Sequence, residues 1–74
     1  MTSITHKITR AANQLQEKNS TDVPIKERIA ACFVLNRMDL LPRGHEDVVD
    51  SWLLLGEWQL DVRIIKMNYM HKIV

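Results

Sequence analysis

The segment VVDSWLLLGEWQLDVRIIKMNYM, Val48 to Met70, decides how this chain is read. It is too apolar for a helix buried along one stripe, and its charges keep it out of a bilayer. No proline interrupts it, and Gly56 is its one weak point as a helix. Glu46, Asp47 and Asp50 stand at its start, where acidic side chains complement the positive end of a helix dipole. The pattern predicts a single helix from about His45 to Lys72, roughly 40 Å long at 1.5 Å per residue.

Set around a helix at about 100° per residue, the segment divides into two apolar faces. Val49, Trp52, Leu53, Gly56, Leu60, Ile64 and Met67 form the first, which is expected to face the core. Leu54, Leu55, Trp58, Val62, Ile65 and Tyr69 form the second, nearly opposite, which is expected to meet a second chain or a partner. An acidic strip of Asp50, Glu57 and Asp61, with Asn68, runs between them. Two opposed apolar faces need two covers, and short flanking helices supply one. A second copy is the natural second cover, because obligate dimer interfaces resemble a core cut in half.

Charge along the segment is segregated. Residues 45 to 61 hold Glu46, Asp47, Asp50, Glu57 and Asp61 and no Lys or Arg. Residues 62 to 74 hold Arg63, Lys66 and Lys72 and no acid. This suits a two-fold homodimer in which two such helices lie antiparallel. Gly56, in the middle, marks either a close helix approach or a kink.

Working outward, Ile4, Ile8, Ala11, Ala12 and Leu15 fall at helical spacing and predict a helix from Ser3 to Lys18, capped by Thr2 or Ser3. Asn19-Ser20-Thr21-Asp22 is a polar break that offers caps for the next helix. Pro24 suits a first helical turn, where its missing N–H would be unbonded anyway. Ile25, Ile29, Cys32, Phe33 and Asn36 continue the period to an end near Asp39 or Leu40, since Leu41 precedes Pro42. Pro42-Arg43-Gly44 reads as a tight connection. The expected fold is therefore all-α: one domain over residues 1–74, three helices short, short and long, assembled as a dimer.

Composition narrows the function. A chain of 74 residues is near the lower limit for a self-sufficient core, and such chains lean on disulfides, a metal or a partner. Cys32 is the only cysteine, so no intrachain disulfide forms, and within Ala30-Ala31-Cys32-Phe33-Val34 it reads as a buried small residue in a reducing compartment. His6, His45 and His71 are far apart and none is spaced with Cys32 as a zinc ligand. No metal and no cofactor is expected. No apolar core follows the basic residues near the N-terminus, so no secretory signal is expected, and the expected location is the cytoplasm.

Catalytic patterns are missing too. Gly44 and Gly56 are twelve residues apart and build no phosphate loop, and there is no HExxH, CxxC or nucleophile elbow. His45-Glu46-Asp47 reads as helix-start chemistry, and Trp52 and Trp58 as packing anchors. No enzyme is expected. The net charge of +1 carries no nucleic-acid signature. The alternative is a small DNA-binding regulator that uses the first two helices and the Asn19–Val23 connection. His6, Lys7, Arg10, Lys18, Lys26, Arg28, Arg37 and Arg43 give that half a mild basic bias, but its turn lacks the usual glycine.

Two resemblances bear on the partner. Lys26-Glu27-Arg28 together with Glu46 and Ser51-Trp52 resembles the theta subunit of bacterial DNA polymerase III and its phage-encoded homologue, small helical proteins that bind a proofreading exonuclease subunit. The spacing between these residues and the sequence after Trp52 differ, so no residue role is carried over. A short helical chain with Met, Trp and the run Gly56-Glu57-Trp58-Gln59 resembles the small accessory proteins of enterobacterial lambdoid phages and prophages. That resemblance implies a non-enzymatic protein that modulates a host process by binding a host protein.

Overall fold

The computed structural model describes residues 3–18 and 23–73. Every regular element among them is helical. Four helices, α1 (Ser3–Lys18), α2 (Ile25–Leu35), α3 (Val48–Leu55) and α4 (Trp58–Ile64), are joined by shorter turns of 3-10 and π type. Thr2 and the Asn19–Asp22 break, with their proposed caps, lie outside the described residues.

Helix α1 spans the segment that the apolar spacing predicts, and Ile8, Ala11, Ala12 and Leu15 are fully buried along one side of it. That stripe meets Ile29, Ala30, Ala31, Cys32 and Val34 of α2, which are also fully buried. The alanines leave little between the backbones, so α1 and α2 form the most extensive contact in the molecule. Thr9 is buried in α1 because its hydroxyl donates to the Thr5 carbonyl at 2.9 Å. The Thr5 hydroxyl in turn reaches Asp61 on α4 at 3.3 Å.

Helix α2 stops at Leu35, short of the expected end near Asp39. Asn36 adopts the left-handed conformation (φ 58°, ψ 34°), which asparagine tolerates better than most residues. The Arg37 N–H then bonds the Cys32 carbonyl at 2.9 Å, and the Asn36 N–H bonds Phe33 at 3.2 Å. This is a Schellman-type ending, which satisfies carbonyls that the helix would otherwise leave open. A single 3-10 turn, Met38–Leu40, follows. Leu41 is extended ahead of Pro42 (φ −59°, ψ 143°), as the proline ring demands. The His45 N–H closes on the Pro42 carbonyl at 2.9 Å, and Gly44 at the third position takes φ +89°. Positive φ there is what a type II turn requires.

The expected third helix is two helices. Gly56 has φ +54° and ψ −121°, a combination outside any helix and disfavoured for residues with a Cβ. Its N–H bonds the Leu53 carbonyl at 3.2 Å and ends α3; Gln59 bonds back to the Gly56 carbonyl at 3.1 Å as α4 begins. A Cβ placed on Gly56 would meet no atom within 4 Å, so the glycine serves the backbone turn and not a close helix approach. After α4 the chain loosens into a π turn, Ile65–Tyr69, and a 3-10 turn, Met70–Lys72. The longest dimension of the molecule is 30 Å, too short for the straight helix that the pattern suggested.

The break lets both halves lie on α2, which contacts α1, α3 and α4. It also reverses the expected roles of the two apolar faces. Leu55, Val62 and Ile65, expected at an interface, are fully buried and complete the core. Trp58 and Tyr69 are half-buried against that core, and only Leu54 of that face stands largely in water. Val49, Leu53, Leu60 and Met67, expected inside, are outside. Gly56 is exposed, Ile64 is half-buried, and Trp52 is half-buried because its ring packs on Phe33 of α2, with centroids 5.1 Å apart.

Candidate interaction surface

The outward side of α3 and α4 is the feature of the molecule that the core does not explain. Val49 and Leu53 are one helical turn apart on α3, so they share a face. They are 66% and 65% exposed, and Leu54 beside them is 49% exposed. Leu60 on α4 is 62% exposed and Met67 on the π turn 77%. Single exposed apolar residues are ordinary on a protein surface; here five large ones stand on consecutive elements.

Two hollows lie along this side and share Trp52 and Arg63. One, of about 360 Å³, has Phe33, Trp52 and Val62 as its lining, with Arg63 and Lys66 at its rim. The other is lined by Trp52, Gly56, Glu57, Gln59, Leu60 and Arg63, where the chain bends between α3 and α4. The first is apolar with basic groups on it, and the second is mixed, with Glu57 and Gln59 beside Leu60. Lys66 is held in place: its ammonium donates to the Phe33 carbonyl at 3.2 Å and to the Asn36 side-chain oxygen, so it also caps α2. The Arg63 side chain makes no hydrogen bond or ion pair among the described residues.

The start of α3 is acidic, and its Glu46, Asp47 and Asp50 line a separate hollow with Leu54. Asp47 is the N-cap of α3 and accepts from the Asp50 N–H at 2.9 Å, the cap-and-dipole role expected for this run. Glu46 accepts from the Gly44 N–H at 3.0 Å, and that bond holds its carboxyl below the usual range. Ser51 is buried behind them and donates to the His45 carbonyl at 2.7 Å. His45, Glu46 and Asp47 are thus joined by local backbone bonds that start a helix. The side chains of Asp50 and Glu57 are exposed and take no partner among the described residues.

The remaining candidates fall elsewhere. Cys32 is buried between the helices, and burial pushes its thiol up to about 11, partly opposed by Arg28. A thiol held that high stays protonated and unreactive near neutral pH. Among the described residues no three His, Cys, Asp or Glu side chains converge as metal ligands. No described helix is long and apolar enough to cross a membrane.

For the DNA-binding alternative, most of the Asn19–Val23 connection lies outside the described residues. Several of its bases are used internally: Arg28 donates twice to the Leu40 carbonyl at 3.2 Å, Arg37 pairs with Asp39 at 2.8 Å, and the Lys26 ammonium sits 4.8 Å over the Trp58 ring.

The sequence marks Gly56 as a weak point or kink, and the signal left unread beside it is the Glu57 that follows. A helix-ending glycine ahead of an acidic residue, with Asp61 in the next turn, is a stop followed by a start. Comparison with protein-family models, with curated proteins and with solved structures finds no match.

Proposed function

We propose that this chain is a non-enzymatic protein-interaction module whose binding surface is the outward side of α3 and α4. The observations that carry the reading are the exposure of Val49, Leu53, Leu60 and Met67 on α3, α4 and the π turn and the hollow lined by Phe33 and Trp52. The core is complete without these side chains, so their apolar area is available to another protein. The module acts by occlusion: whatever docks here has its own apolar surface covered. The resemblance to phage accessory proteins supports a bacterial host protein as a target.

The test compares the immobilised native chain with a Leu53→Glu/Leu60→Glu variant in bacterial lysate. Retention of a protein by the native chain, whether another copy or a different protein, and its loss in a variant that keeps its helical circular dichroism, support the reading. Equal retention by both, or none by either, contradicts it.

The regulator reading draws on one observation. His6, Arg10 and Lys72 share a hollow with Asn13, whose amide donates to the Lys72 carbonyl at 3.2 Å. A mobility shift with random DNA at two salt concentrations tests it: strong binding that weakens steeply with salt favours the regulator, and no shift excludes it.

A further inference from the structure

The segment that carries the interaction surface is in part complementary to itself in sequence. Gly56 and Glu57 divide it into an α3 half and an α4 half. Three pairs of positions equidistant from the bond joining them match in chemistry. Leu53 corresponds to Leu60, apolar with apolar. Asp50 corresponds to Arg63, and Asp47 to Lys66, acid with base in each case. Asp50 and Leu53 lie within α3 and Leu60 and Arg63 within α4, three residues apart in each, the spacing that keeps side chains on neighbouring parts of one face. Leu53, Leu60, Asp50 and Arg63 are all exposed, and the two charged side chains are without partners among the described residues.

From these observations, and resting on the reading of this side as a protein-binding surface, we propose that its partner is a second copy of the chain. The two copies pair antiparallel about a two-fold axis beside Gly56. Leu53 of one copy packs on the partner's Leu60, and Asp50 faces the partner's Arg63. Two-fold symmetry makes every contact twice, so a short match becomes an interface. A parallel pairing would set acid against acid and base against base.

A stable interface of standard size covers about 800 Å² on each partner. Five large apolar side chains, each about half exposed or more, together with the hollow at Trp52, supply the apolar centre of such a patch. The charges at its ends fix orientation more than strength. Because one face serves both, self-association and capture of another protein are mutually exclusive.

Sedimentation velocity on the full chain, from low to high micromolar concentration, tests the proposal. The native chain is expected to be a dimer that dissociates on dilution. Asp50→Lys and Arg63→Glu should each weaken it about tenfold or more, and the double variant should return to within about threefold of native, since each new base meets the partner's new acid. Circular dichroism confirms that all three variants are folded. A native chain that is monomeric at high micromolar concentration overturns the proposal, as does a double variant no better than the single ones. If the native chain is monomeric yet retains another protein in a way that Leu53→Glu/Leu60→Glu abolishes, the second-copy proposal fails and the interaction module stands. If it is monomeric and retains nothing, both fail.

Discussion

The side-chain amide of Gln59 donates to the Trp52 carbonyl at 2.8 Å, across the glycine that divides α3 from α4. The bond replaces part of what the helix ladder loses at Gly56, because a carbonyl near the end of α3 would otherwise lack a partner. It also fixes α4 relative to Trp52, whose ring rests on Phe33. The bend is therefore a built feature, and it directs Leu55 and Val62 inward while Leu53 and Leu60 remain outside.

Gly56→Ala distinguishes this bend from a continuous helix by the sign of its effect. In a continuous helix alanine would stabilise by roughly 1 kcal/mol. At φ +54° and ψ −121° it should destabilise by about 1–3 kcal/mol through backbone strain alone, since nothing crowds the added methyl group. Urea unfolding of the two proteins measures the difference.

Adjacent leucines should behave oppositely. Leu55→Ala removes a fully buried side chain and should cost about 2–5 kcal/mol. Leu53→Ala changes an exposed one and should alter the stability of the unassociated chain by about 0.5 kcal/mol or less. Unfolding curves at concentrations too low for association check both.

Cys32 should give the protein an alkaline liability. Burial raises the thiol from 9.0 to about 11, so the folded chain keeps its proton where the unfolded chain has lost it. The associated stability is intact below pH about 9 and falls as the pH rises toward 11, by roughly 2–3 kcal/mol in all. Cys32→Ala should remove that part of the slope, which stability measurements across this pH range will show. At neutral pH the native thiol should be alkylated slowly until the chain is unfolded.

The start of α3 depends on Asp47. Asp47→Ala removes the acceptor for the Asp50 N–H and should cost about 0.5–2 kcal/mol, whereas Asp47→Asn should retain most of the stability because asparagine caps as well. Thermal or urea unfolding of the pair separates the cap from the charge.

Much of this architecture was legible in the residues themselves. Ile4, Ile8, Ala11, Ala12 and Leu15 keep one phase over a whole helix, so the limits of α1 could be read directly. Two apolar faces were also visible between Val48 and Met70, but their roles were not. A helical wheel assumes constant phase, and the backbone of Gly56 interrupts it. It is also blind to tertiary cover: only the position of α2 decides that Leu55, Val62 and Ile65 are inside. Spacing alone puts Asn36 within α2, whereas its tolerance of the left-handed conformation makes it the stop. A helical wheel thus assigns Val49, Leu53, Leu60 and Met67 to the core, whereas the fold leaves them outside.

The central claim is that the outward side of α3 and α4 binds a second copy of the chain. Leu60→Glu and Val62→Glu, two positions apart on α4, examine it together by sedimentation and circular dichroism. Leu60→Glu should remain folded and lose association, and Val62→Glu should lose its fold. A folded Leu60→Glu chain that associates as the native chain does, or one that unfolds, would contradict the account.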